Sequence, residues 1–191
     1  INLLKITIVK NYWIQYKPFL LFLVKFIFSY LVLTFAYQYY LNQYDIKKYE
    51  VDGFTTLVTN QVEQSLLFFN CDAHIDLHPT QPCYKFFYNG KSVSRIVEGC
   101  NALSVIILFI AFVIAFSGKI KNTIYFIIAG SLIIHILNIT RIALLMVAFY
   151  HFPEAKFILH DILFPLVIYG TVFILWIIWV NKFSYYARKP S

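Results

Sequence analysis

Apolar residues run in four long blocks, at 19–37, 101–116, 123–150 and 162–180, with polar residues collected between them. A helix rises 1.5 Å per residue, so ~20 apolar residues cross a hydrocarbon core of ~30 Å. The blocks therefore predict four transmembrane helices, placed at 19–37, 100–116, 123–150 and 162–181. The second is short unless it extends upstream through Gly99, and the third, 28 residues long, allows tilt or a kink. The expected fold class is an all-α integral membrane protein, a four-helix bundle with a helical or irregular extracytoplasmic cap at 38–99. Within that cap, apolar residues at 54, 57, 58, 62, 66, 67 and 69 approximate a helical stripe, so residues 52–69 predict an amphipathic helix on the outer surface. Asn89-Gly90, flanked by Phe86, Phe87, Tyr88 and Val93, predicts a tight hairpin turn.

Composition agrees with the pattern. The 191 residues are 60% hydrophobic, 20% aromatic and only 13% charged, too apolar for a soluble domain of this size. Charge then gives an orientation. Lys5, Lys10, Lys17, Lys119, Lys121, Lys182, Arg188 and Lys189 fall in segments without a single acidic residue, whereas all nine acidic residues fall on the other side of the expected bundle. Basic residues in short loops mark the cytoplasmic side. Both termini and the 117–122 loop are thus expected in the cytoplasm, and 38–99 and 151–161 outside. The net charge of +7 is then a cytoplasmic collar that favours anionic lipid, with no nucleic-acid partner expected. Residues 1–18 read as a cytoplasmic or interfacial segment, either an amphipathic helix or a basic tail. The apolar run at 19–37 exceeds a signal-peptide core and no Ala-x-Ala site follows it, so it is expected to stay attached.

Two of the three cysteines, Cys71 and Cys83, share the outward segment, where an oxidising exterior permits a disulfide contributing ~3 kcal/mol. The same stretch spells C-x2-H-x3-H-x4-C through His74 and His78, which would share a face if helical. The spacing is not a standard zinc pattern and Pro79 and Pro82 interrupt it, so no metal and no cofactor are expected.

Three chemically capable residues fall at one expected depth, the outer mouths of three different spans. Arg141 lies 18 residues, about 27 Å, above the start of the third block, where a charge is costly unless it serves the bundle interior or a wet cavity. His135 and Asn138 precede it on the same side of the helix and read as supporting hydrogen-bonding residues. Cys100, in V-E-G-C-N-A-L-S, opens the second span, where a helix N-terminus favours a thiolate and offers N–H groups to an oxyanion. His160, in F-I-L-H-D-I, opens the fourth and can carry a proton to or from a reacting group. His151 is its rival in the same loop. Together Cys100, Arg141 and His160 are the parts of a cysteine nucleophile site.

The segment Glu98-Gly99-Cys100-Asn101-Ala102-Leu103, then Asn138-Ile139-Thr140-Arg141-Ile142, then a histidine at the outer start of the last span, resembles the exosortase/archaeosortase family, closest to the short exosortase F type. The resemblance covers residues 19–181. It implies a membrane-embedded cysteine protease or transpeptidase of the bacterial inner membrane, with its active site facing the periplasm. Such an enzyme processes C-terminal sorting signals of exported proteins. On the matching positions, Cys100 is the expected nucleophile, Arg141 the thiolate and oxyanion stabiliser and His160 the general acid/base, with Glu98, Asn101 and Asn138 in support. Exported substrates, membrane lipids and a small accessory membrane protein are the implied partners. The competing expectation is a non-catalytic subunit that uses the same bundle and an aromatic cap to dock another membrane protein.

Overall fold

In the computed structural model, residues 2–185 are described, with side chains from Gln15 onward. The expectations for the side chains of the first segment and for Arg188 and Lys189 lie outside the described residues.

The chain is mostly helical. Five helices, α1 (Asn2–Leu41), α2 (Gly53–Phe68), α3 (Leu103–Ala115), α4 (Ile120–His151) and α5 (Phe164–Ile178), accompany a three-stranded sheet of β1 (Ala73–Leu77), β2 (Tyr84–Tyr88) and β3 (Lys91–Ile96), which packs on α2 and α4. Wider helical turns at Ile158–Leu163 and Trp179–Phe183 lengthen α5 at both ends. Three helical stretches are long and apolar enough to cross a membrane: Gln15–Leu41, Ile120–His151 and Pro153–Phe183. Their large side chains are widely exposed, among them Phe28, Phe35, Ile128, Leu166 and Phe173, as a lipid-facing surface would require. The second expected span, at 100–116, is shorter than its apolar block. α3 has 13 residues, about 20 Å at helical rise, because the chain before it forms a tight 3-10 turn (Glu98–Cys100) and a left-handed kink at Ala102 (φ 61°).

α2 starts where the sequence suggests. Asp52 caps it, its carboxylate accepting from the N–H groups of Phe54 (3.1 Å) and Thr55 (2.9 Å). The buried face is Thr55, Val58, Thr59, Val62 and Leu66, while Leu57, Leu67 and Phe69 face outward, so three of the seven expected stripe positions are exposed and two threonines join the buried face.

The remainder of the cap corrects the all-α expectation. Strand order is β1-β2-β3, both pairs antiparallel. Asn89 (φ 47°) and Gly90 (φ 71°) make the tight turn between β2 and β3, the doubly left-handed geometry for which Asn-Gly is suited. The strands bury Phe86 and Ile96 against Val58 and Val62 of α2 and Ile142 and Met146 of α4. A second core lies at the other end of α4, where Phe109, Ile134, Val172 and Trp179 meet. There Gly130 is required by close approach: a Cβ would fall 2.2 Å from the Phe109 ring.

The sheet also overturns the disulfide. Ala73 pairs with Tyr88 and Leu77 with Tyr84, so Cys71 and Cys83 sit at opposite ends of one hairpin. All three cysteines are free. The main-chain N–H of His78 donates to the Cys83 carbonyl at 2.9 Å, and Cys71 lies seven residues back, about 23 Å along an extended chain at ~3.3 Å per residue. A disulfide needs Cα atoms within roughly 7 Å. Cys71 instead interacts with the Tyr88 hydroxyl, which raises that phenol's pKa, and burial pushes the Cys83 thiol up. His74 lies on a strand, so the shared helix face with His78 does not form. His74 bonds Asp76 at 2.8 Å, and among the described residues no three His, Cys, Asp or Glu side chains gather as metal ligands.

Candidate active site

Cys100 ends the Glu98–Cys100 turn, which is held by residues of α1, α2 and α4. The Glu98 carboxylate accepts a hydrogen bond from the Tyr37 hydroxyl on α1. Asn101, 1% exposed, donates from Nδ2 to Tyr37 Oη (3.2 Å) and to Thr55 Oγ1 on α2 (3.1 Å), and its Oδ1 accepts from the Leu103 N–H (2.8 Å). Asn138, fully buried on α4, donates to the Cys100 carbonyl at 2.8 Å. Helices α1, α2 and α4 thus hold the Glu98 and Asn101 side chains and the Cys100 carbonyl around one thiol. A buried polar network of this kind specifies one arrangement, because each missing partner would leave a desolvated group unpaired. The expectation that Cys100 opens a helix is corrected: Asn101 and Ala102 separate it from α3, so the thiol does not sit at that helix's N-terminus.

The polar run on α4 divides among different neighbours. His135 Nε2 meets Gln61 Oε1 of α2 at 2.9 Å, Asn138 holds the cysteine peptide, and Arg141 reaches a cavity of about 760 Å³. Cys100 and His160 line the same cavity, so the three residues expected to act together share one space. Arg141 Nε is buried there without a hydrogen-bond partner among the described residues. His160 sits in the Ile158–Leu163 turn rather than at a regular helix start, about half exposed, its Nδ1 2.7 Å from Asp161 Oδ1. A carboxylate oxygen accepts hydrogen bonds and donates none, so the Nδ1 contact is made through an N–H and, in the neutral ring, Nε2 is left as the acceptor. The rival His151 packs its ring against Tyr150 and Tyr88 and does not line the cavity.

Sequence reasoning missed the remaining cations of this space. Lys85 of β2, Arg95 of β3 and Lys156 also line it, and no aspartate or glutamate does among the described residues. Lys85 and Arg95 stand directly opposite each other in the β2–β3 register, an arrangement of like charges that costs stability in a sheet. Asp76 faces Lys85 from β1 but is engaged with His74. Lys156 is held over the Phe149 ring, 5.1 Å from its centroid. The signal in the sequence is the presence of Lys85, Lys91, Arg95 and Lys156 in the two segments expected outside.

Comparisons with protein-family models, with curated proteins and with solved structures found no match for this chain.

Proposed function

We propose that the chain is a membrane-embedded cysteine peptidase or transpeptidase, exosortase-like in its site, that processes C-terminal sorting signals of exported proteins. The observation that carries this reading is the convergence of Cys100, Arg141 and His160, from three separate segments, on one cation-lined cavity. On this reading the bundle lies in the bacterial inner membrane, with both termini cytoplasmic and the cavity opening to the periplasm, as the charge asymmetry favours.

The chemistry follows from residue types. His160 Nε2 takes the Cys100 proton, and the sulfur bonds to the carbonyl carbon of the substrate peptide. The carbonyl electron pair moves to oxygen, where the Arg141 guanidinium stabilises the developing charge. As the carbonyl re-forms, the C–N bond breaks, and the leaving amine takes the proton from His160. Water or an acceptor amine then attacks the thioester, passes its proton to His160 and releases the sulfur. Asn138, Asn101 and Glu98 position the nucleophile's backbone and do not touch the reacting atoms.

The test is accumulation of unprocessed exported precursors in cells carrying Cys100→Ala, with the variant verified as folded and inserted. Unchanged processing ends the enzyme reading and leaves the subunit reading. That second reading draws on the exposed Phe68 and Phe69 pair at the end of α2, a surface suited to another membrane protein.

A further inference from the structure

The cavity has a shape that its three reactive residues do not explain. Ser92, Val93, Ser94, Arg95 and Val97 line it in near-unbroken succession. Apart from the register irregularity at Val93, successive side chains of the strand point to opposite faces of the sheet, so a space reaching Ser94, Arg95 and Val97 as well as Ser92 and Val93 follows the strand's edge. β3 is an edge strand, paired with β2 on one side and with no strand on the other among the described residues. An unpaired edge offers a row of main-chain donors and acceptors to another extended chain. The edge leads through Val97 and Gly99 to Cys100, and all of these belong to the same cavity. Ser92 to Val97 spans about 17 Å at ~3.4 Å per residue, a track long enough for about five residues of peptide. The charges beside it are Lys85, Arg95, Lys156 and Arg141.

We infer that an acidic, extended peptide segment of the substrate adds to the free edge of β3 as a fourth strand, which delivers its scissile carbonyl to Cys100. Main-chain pairing along β3 supplies the register, and the cations select side chains of opposite charge. The like-charged Lys85–Arg95 pair is relieved when a carboxylate lies between them. The inference rests on Cys100 being the nucleophile of a peptide-cleaving enzyme, and it adds where and in what conformation the peptide lies.

The experiment uses the full-length protein in detergent, with Cys100 labelled by a membrane-impermeant maleimide and three terminally blocked probe peptides. The first alternates valine and glutamate, the second alternates valine and lysine, and the third is the first with every internal peptide nitrogen methylated. The valine–glutamate peptide should slow labelling several-fold and the other two should not. Arg95→Glu, an exposed substitution on the strand, should weaken protection by the first peptide and create protection by the second. Equal protection by the methylated peptide overturns edge pairing. Equal protection by the lysine peptide overturns acidic selection, and protection by none at millimolar concentration overturns the inference as a whole. Precursor processing in Cys100→Ala cells is read separately, so the enzyme reading can stand when this one fails.

Discussion

Along α4, the stretch around Gly130 and Ile134 and the stretch around Asn138 and Arg141 meet their neighbours in opposite ways. The first closes on α3 until no side chain fits between the helices, with the Phe109 ring against the Gly130 backbone. The second adds polar contacts to its packing, Asn138 on the Cys100 carbonyl, and faces a cavity of about 760 Å³ at Arg141. One end spends its residues on contact area, the other on fixing a turn that carries a thiol. Stability and chemistry should therefore separate along a single helix, and substitutions at the two ends should fail for different reasons.

Cys100→Ala should have the largest effect on function, abolishing precursor processing while leaving thermal unfolding in detergent nearly unchanged. Gly130→Val should do the reverse. Its side chain has no room beside Phe109, and overpacking by that much costs roughly 3 kcal/mol or more, read as loss of folded protein on size-exclusion. Any molecules that do fold should retain processing. Arg141→Ala should lower the processing rate about 10²- to 10³-fold, the usual loss of one oxyanion donor, with little change in unfolding temperature. Asn138→Ala sharpens the boundary between the two stretches, because it removes the partner of the Cys100 carbonyl inside a packed stripe. It should cost about 1–3 kcal/mol in stability and also lower the rate of Cys100 labelling. The smallest effect belongs to reductant. With Cys71 and Cys83 at opposite ends of the hairpin, dithiothreitol should leave the unfolding temperature where it is.

What the sequence reveals follows the same division. Long apolar blocks announce helices because length and hydropathy are local, and Asp52 and Asn89-Gly90 mark a cap and a turn through chemistry contained in two or three residues. The strands are harder to read. Lys91-Ser92-Val93-Ser94-Arg95-Ile96 has little alternation, and a register irregularity near Phe86 and Phe87 interrupts its pairing with β2. Whether Cys71 can reach Cys83 depends on strand register, which spacing along the chain does not carry. Cys100, Arg141 and His160 stand out by residue type in apolar surroundings. Lys85, Arg95 and Lys156 do not, since basic residues are unremarkable in a polar segment until a fold turns them toward one space. Asn101 and Tyr37 illustrate the same limit: their bond joins residues 64 positions apart.

The account depends most on Cys100 lying open to a cavity whose field is positive. In a protein keeping Cys100 as its sole cysteine (Cys71→Ala, Cys83→Ala), the rates of modification by a sulfonate-bearing and a trimethylammonium-bearing thiosulfonate reagent measure that field directly. The anionic reagent should react several-fold faster, and Arg141→Ala should narrow the gap. Equal rates, a faster cationic reagent, or no reaction with either would contradict the account.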